Sequence, residues 1–333
     1  MCSASIFRWG VMAPGRIARR FGEALPVIPG ARLAAVASRD AGRGQHYAKT
    51  YSDPDTPARV FTDYQAMVED PNVDAVYIAS PHRFHYDSIR QCLEAGKPVL
   101  CEKPLTVSAA QAEDLFSLAE ERGVFLMEAL WSRFTPSWQQ ARGWLDEGVI
   151  GEIHSLQASF SIRIQQGPED RLLNPALAGG TTLDMGVYPV NLSQFVLGED
   201  PQQVQTLARL GRTGVDVMAS TQLRYESAIA QFTTGFLTKR YNVMRIDGTL
   251  GSIEFPDRFW DAREVTLSLQ DGRVHHLTCP YRSNGFEYQI EEVMRCVRAG
   301  KLQSDIMPWA DTLGVARVLD EMLAQAGVRY DFL

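Results

Sequence analysis

Two apolar rhythms run along this chain. From its start to about Leu130, short uninterrupted apolar stretches, "SIFRWGVMA", "ARLAAVAS", "VDAVYIAS", "PVLCEKP" and "VFLMEA", alternate with stretches of helical periodicity such as "RIARRFGEAL", "AGRGQHYAKTY", "HYDSIRQCLEAG" and "SAAQAEDLFSLAEERG". Strand and helix alternating at a spacing of about 25 to 30 residues predict βαβ units and a parallel sheet. A further helix-like stretch over 136–148 leads into runs in which every second residue is apolar, "EIHSLQASFSIRI", "DVMASTQLRY", "AIAQFTTGF" and "EVTLSLQDG", separated by short turns such as Asp271-Gly272. That texture predicts one large, mostly antiparallel sheet. Two helix-like segments, about 288–299 and 309–326, follow it. The fold class read from these patterns is α/β: an N-terminal doubly wound parallel sheet of Rossmann type over 1–130, then a C-terminal α+β domain with a large open sheet over 131–333.

Length agrees, since single cores seldom grow beyond roughly 250 to 300 residues and this chain has 333, of which 45% are hydrophobic. A net charge of -7 supplies no footprint for nucleic acid, which attracts basic patches. No run of about 18 apolar residues and no signal-peptide pattern occurs, so no membrane partner is expected. Cys2, Cys92, Cys101, Cys279 and Cys296 are odd in number, scattered, and free of any CxxC pair. They read as reduced thiols in a cytoplasmic protein.

The first stretch loaded with chemistry is "RWGVMAPGRIA". Gly10, Ala13 and Gly15 stand at the spacing of a dinucleotide-binding turn between strand and helix, with Met12, Pro14, Arg16 and Ile17 completing the loop. An ordinary glycine-containing turn is the alternative, and the position at the head of an alternating block favours the cofactor. At the end of the second strand, Ser38, Arg39 and Arg43 offer a hydroxyl and two guanidinium groups, a set suited to the 2′-phosphate of NADP. Asp40 keeps NAD open, because a carboxylate there could accept from ribose hydroxyls instead.

Taken together, "CEKPLTVSAAQAEDLF", "MEALWSRFTP" and "LAGGTTLDMGVYPVN" resemble the glucose-fructose oxidoreductase / inositol dehydrogenase (Gfo/Idh/MocA) family. Within it, the likeness is to the branch of dimeric dihydrodiol and NADP-dependent D-xylose dehydrogenases, which carries tyrosine where many members have histidine at position 188. The likeness spans essentially the whole chain, through "SPHRFHYDSIRQCLEAGKPVLCEKP" to "GFEYQIEEVMRCVRAGK".

The resemblance implies an NADP-dependent oxidoreductase that moves hydride between the nicotinamide and a hydroxyl or hemiacetal carbon of a sugar or cyclic trans-diol. It implies that Lys103 contacts the nicotinamide ribose and the reacting hydroxyl, that Glu102 helps to fix the nicotinamide, and that Pro104 stiffens the turn. Tyr188 becomes the general acid/base, its phenolate favoured by positive charge from Lys103 and the oxidised ring. Asp184, four residues earlier on the same helix face, binds substrate or holds Lys103. Ser80, Pro81, His82 and His85 are expected around the cofactor. His82 and His85 have no third ligand at a sensible spacing, so no metal is expected. Trp131 and Arg133 are expected on the cofactor and substrate side, and Phe286 and Tyr288 are further, weaker candidates for the cleft. A homodimer is also implied. Two other classes stay open, a non-catalytic dinucleotide-binding regulator and a cofactor-retaining glycoside hydrolase.

Overall fold

The computed structural model describes residues 6–333, so Cys2 lies outside the described residues. Two compact units emerge. The first contains the chain up to Thr106, Ala110–Trp131 and the returning segment Arg282–Trp309; the second contains Val107–Ala109, Ser132–Tyr281 and Ala310–Leu333.

In the first unit the strands are β1 (Phe7–Met12), β2 (Ala31–Ala37), β3 (Arg59–Phe61), β4 (Ala75–Ile78), β5 (Val99–Glu102) and β6 (Leu126–Ala129). Helices α1 (Ala18–Ala24), α2 (Ala41–Tyr51), α3 (Tyr64–Val68), α4 (His85–Glu94) and α5 (Ala109–Arg122) alternate with them. All six strands are parallel, in the order β3-β2-β1-β4-β5-β6. Their carboxyl ends therefore share one edge, and the direction of winding reverses between β1 and β4, the place where open α/β sheets bind ligands. β4, β5 and β6 are buried at every position, as strands covered on both faces must be. Phe21 of α1 packs edge-on to Trp9 and stacks at 4.2 Å on Tyr77, pinning the helix that follows the glycine turn onto the sheet. The short β3 and α3 were not foreseen. A strand of three residues is too brief to display a period, and its apolar positions are only half-buried.

In the second unit, α6 (Pro136–Asp146) begins with a proline at its first position, where no backbone N–H is needed. The sheet that follows comprises β7 (Ile153–Ser161), β8 (Gln203–Leu210), β9 (Asp216–Arg224), β10 (Ile229–Gly235), β11 (Met244–Gly248), β12 (Gly251–Phe255), β13 (Glu264–Leu269) and β14 (Val274–Thr278). Its order is β14-β13-β12-β11-β7-β10-β9-β8, antiparallel except for the β7–β10 pair. Alternation along β9 shows why it forms: Ala219, Thr221 and Leu223 face inward while Ser220, Gln222 and Arg224 face out. Between β7 and β8 a π-helical turn over Thr182–Gly186 runs directly into α7 (Val187–Leu197), which ends at Gly198 in the left-handed region. Trp138 of α6 stacks at 3.8 Å on Phe255, and its Nε1 donates to the Phe259 carbonyl at 2.8 Å.

The returning helix of the first unit, Phe286–Arg298, starts two residues earlier than its periodicity implies. The Glu287 carboxylate explains the extension. It accepts from the backbone N–H groups of Ser283, Asn284 and Gly285, tying the preceding turn onto the first turn of the helix.

Candidate active site

The carboxyl edge of the first unit's sheet gathers most of the predicted residues. Met12 lies level with Ala37 and Ile78, Ile78 with Cys101, and Glu102 with Ala129, so the loops after β1, β2, β4, β5 and β6 leave the sheet side by side. In the first loop, Ala13 stands where a glycine is usual and adopts φ 56, the left-handed region that a Cβ disfavours. Gly15 runs close to the Ala79 carbonyl, where an added Cβ would sit 3.5 Å away. Ile17, at the head of α1, contributes no capping side chain.

After β2, the buried Ser38 accepts from Asp40 N–H at 3.3 Å. Asp40 itself caps α2, taking the Arg43 N–H at 3.0 Å, with the Arg43 guanidinium 3.7 Å away. The carboxylate that kept NAD open is thereby engaged at a helix start. The Arg39 guanidinium lies 5.5 Å from the Phe84 ring. After β4, the Ser80 hydroxyl is buried and has no hydrogen-bond partner, an uncommon condition for a buried polar atom and one that a ligand hydroxyl or phosphate would relieve. The residues of this edge thus fit a dinucleotide.

Glu102 and Lys103 stand on a braced turn. Glu102 is buried and accepts from the Tyr77 hydroxyl at 2.5 Å, while burial holds that phenol firmly protonated. The Lys103-Pro104 bond is cis. Leu105 N–H donates to Glu128 at 2.9 Å. His85, expected at the cofactor, is wholly buried, with Nδ1 2.8 Å from the Pro104 carbonyl and Nε2 2.8 Å from the Ser80 carbonyl. Burial also holds its pKa below the ordinary histidine value. The neutral ring has a single N–H, so it donates to one of these two carbonyls and packs against the other. His82 packs edge-on against it at 5.7 Å.

Trp131 closes the row, but its ring is already in use: the Arg20 guanidinium sits 4.3 Å above it and Phe286 lies 5.2 Å away. Phe286, expected to touch substrate, is wholly interior, because the start of the returning helix is drawn in by Arg20 and the Glu287 cap. Tyr288 instead pairs its ring with the Arg282 guanidinium at 5.0 Å.

The second unit carries the other candidates. Gly179 admits no side chain, since a Cβ would stand 2.8 Å from the carbonyl oxygens of Arg171 and Leu172, and its own carbonyl accepts from the Tyr330 hydroxyl at 2.6 Å. Gly180 has φ 127. The two glycines lead straight into the π-helical turn bearing Asp184 and on to Tyr188 in α7. Asp184 pairs with Arg171 at 3.0 Å. Tyr188 is buried, and its ring meets Phe160 edge-on at 5.6 Å and Trp260 at 6.5 Å. Arg133, expected at the cofactor, is wholly buried in this unit. It donates to Asn191 and pairs with Asp311, the arrangement a buried guanidinium needs.

Two neighbours of these candidates had escaped notice. Arg171 lies in the unpatterned loop "PEDRLLN", which carries no signal. Asp216 does carry one: a lone carboxylate inside the apolar run "GVDVMA", where charge is out of place.

Comparison with known proteins matches residues 7–130 to a family model described as oxidoreductase family, NAD-binding Rossmann fold, and residues 138–254 to one described as GFO/IDH/MocA C-terminal domain. The trans-1,2-dihydrobenzene-1,2-diol dehydrogenase of Xenopus tropicalis is 33% identical over 332 residues, covering 97% of this chain and 99% of the relative. The protein of that name from Homo sapiens is 30% identical, covering 97% and 98%. Among solved structures, a 3-ketoreductase from Actinomadura kijaniata in complex with TDP-benzene and NADP is 31% identical, with a TM-score of 0.81 over 97% of this chain and 98% of that one. An aldose-aldose oxidoreductase from Caulobacter crescentus, 24% identical, shares the fold with a TM-score of 0.87 over the same proportions.

Proposed function

This chain belongs to the Gfo/Idh/MocA oxidoreductase family, and from that premise we propose that it is an NADP-dependent dehydrogenase acting on a CH–OH group of a cyclic trans-diol or a sugar. The observation that carries the reading is the turn after β5. Tyr77 fixes Glu102, and His85 and Glu128 fix the residues after Lys103, so the lysine leaves the ligand-binding edge from a rigid base.

Gly10 to Ile17 hold the pyrophosphate, Arg39 and Arg43 the 2′-phosphate, and Ser80 and Glu102 the nicotinamide half. Bound NADP supplies the hydride acceptor. Lys103 orients the reacting hydroxyl and stabilises negative charge as it develops on that oxygen. Tyr188 takes the hydroxyl proton during oxidation and returns it during reduction, and Asp184 binds the substrate. The A. kijaniata 3-ketoreductase was also crystallised with a lysine replaced by alanine or glutamate, and with a tyrosine replaced by phenylalanine. Those are the two residue types given the chemistry here. The functional division we propose assigns the nucleotide to 1–130 and the substrate and self-association to 131–333. The cytoplasm is the location we assign, on the scattered cysteines with no CxxC pair in the sequence.

The test is a screen of trans-1,2-dihydrobenzene-1,2-diol, D-xylose, other aldoses and keto-sugars, followed at the nicotinamide absorbance band with NADP and NAD in parallel. Turnover with NADP and the diol or an aldose is expected. Silence across the whole set would defeat the assignment, and a preference for NAD would defeat its cofactor.

We propose that the chain self-associates through the outer face of the second sheet. Gln205, Gln222, Gln231, Gln157 and Arg245 stand level across five adjacent strands, all exposed, with Leu207 82% exposed beside them. A face of long polar side chains around an apolar residue suits pairing with its own copy through shared hydrogen bonds. Sedimentation equilibrium should return twice the chain mass, with Gln222→Glu and Gln231→Glu together shifting it toward the monomer. A monomeric parent protein would end this part of the proposal.

A further inference from the structure

Asp216 opens β9 between Val215 and Val217, and its side chain is wholly buried. One carboxylate oxygen, Oδ2, accepts twice from a single residue, from the Thr182 N–H at 2.7 Å and from the Thr182 hydroxyl at 2.7 Å. The other oxygen lies against Gly180, where an added Cβ would stand 2.2 Å from Oδ1. Burying a carboxylate here is unfavourable, and burial does push the Asp216 carboxyl up while the Thr182 bonds pull it back. For packing alone, an apolar residue of similar size would serve at least as well. What the carboxylate adds is a fixed acceptor at the start of a helical segment, where N–H groups lack partners and the dipole favours negative charge.

That segment is the π-helical turn bearing Asp184. The Thr182 backbone is held on both sides: its N–H by Asp216, and its carbonyl by the N–H of Val187, the residue before Tyr188. Two hydrogen bonds in series thus connect the buried carboxylate to the backbone that presents the phenol. Thr181 and Gly186 offer no capping side chain that could take over this task.

We infer that Asp216 is a positioning residue for the reaction, seating the turn of Asp184 and Tyr188 so that the Tyr188 hydroxyl is held where it exchanges its proton. The inference rests on the acid/base role proposed for Tyr188. In this role Asp216 acts through Thr182.

The test uses the full-length protein with NADP and trans-1,2-dihydrobenzene-1,2-diol or, where the screen returns an aldose, that aldose. Asp216→Ala should lower kcat by about a hundredfold, the scale on which a misplacement of ~1 Å acts, with KM for NADP within about threefold of the parent. Asp216→Asn, which keeps shape and an acceptor, should recover most of the loss. In a Tyr188→Phe background, Asp216→Ala should slow the reaction no further, because a residue acting through the phenol has nothing left to position. An undiminished kcat, losses that multiply in the double variant, or equal damage to kcat and NADP binding would each overturn the inference. If Asp216→Ala does not fold, Thr182→Val decides: it removes only the hydroxyl bond to Oδ2, and a several-fold drop in kcat at unchanged NADP affinity is expected, an unchanged kcat being fatal. A fully active Tyr188→Phe would remove the acid/base reading itself. A slow Tyr188→Phe beside a fully active Asp216→Ala would remove only the positioning role.

Discussion

Replacing Tyr188 by phenylalanine should lower kcat by about a hundredfold or more, the usual contribution of a positioned acid/base, while leaving NADP affinity within about twofold. The packing favours a clean experiment. Tyr188 touches Phe160 edge-on at 5.6 Å and Trp260 at 6.5 Å through its ring, and phenylalanine retains both contacts. Only the hydroxyl is lost, so the ring packing is preserved. Stopped-flow measurement of the first turnover separates the chemical step from cofactor release. Unchanged first-turnover rates would take the phenol out of the mechanism.

The second large effect concerns cofactor choice. Arg39→Ala with Arg43→Ala should raise the NADP dissociation constant by about a hundredfold, since losing charge-assisted bonds worth about 1.5 kcal/mol each from two guanidinium groups totals about 3 kcal/mol. NAD, which has no 2′-phosphate, should weaken by less than about threefold. The fold of this loop survives the change. Asp40 caps α2 through the backbone N–H of Arg43, a bond that alanine preserves, and the two guanidinium groups contribute only an exposed ion pair and a contact with Phe84. Fluorescence titration of both nucleotides measures the ratio. Equal weakening of the two would mean that the arginines serve the pyrophosphate or the fold, and the specificity argument would fail.

The sequence is most transparent where a local rule and burial agree. α2 starts at Ala41 because Asp40 caps it, and both are visible in "RDAGRG". The parallel strands read clearly because sheets covered on both faces leave nearly continuous apolar runs, and the second sheet reads clearly because one face is wet. The π-helical turn at Thr182–Gly186 has no such mark, since its extra residue depends on what seats it and not on its own composition. Arg133 and Phe286 show the limit from the other side. Each has the chemistry of a ligand contact, yet partners far along the chain, Asp311 for one and Arg20 for the other, draw it inside. His85 is intermediate: its neighbourhood was legible, but its burial between the Ser80 and Pro104 carbonyls arises only when two loops meet.

The return of Arg282–Trp309 to the first unit bears on how that half can be prepared alone. A subclone stopping at residue 131 would strip α1 and Trp131 of Phe286 and would leave Arg20 and Glu23 without the Asn284 side chain that bonds them. Such a piece should be sticky and short-lived in solution. Grafting 282–309 onto its end through a flexible tether would restore the missing wall, and is the version worth expressing for nucleotide titrations.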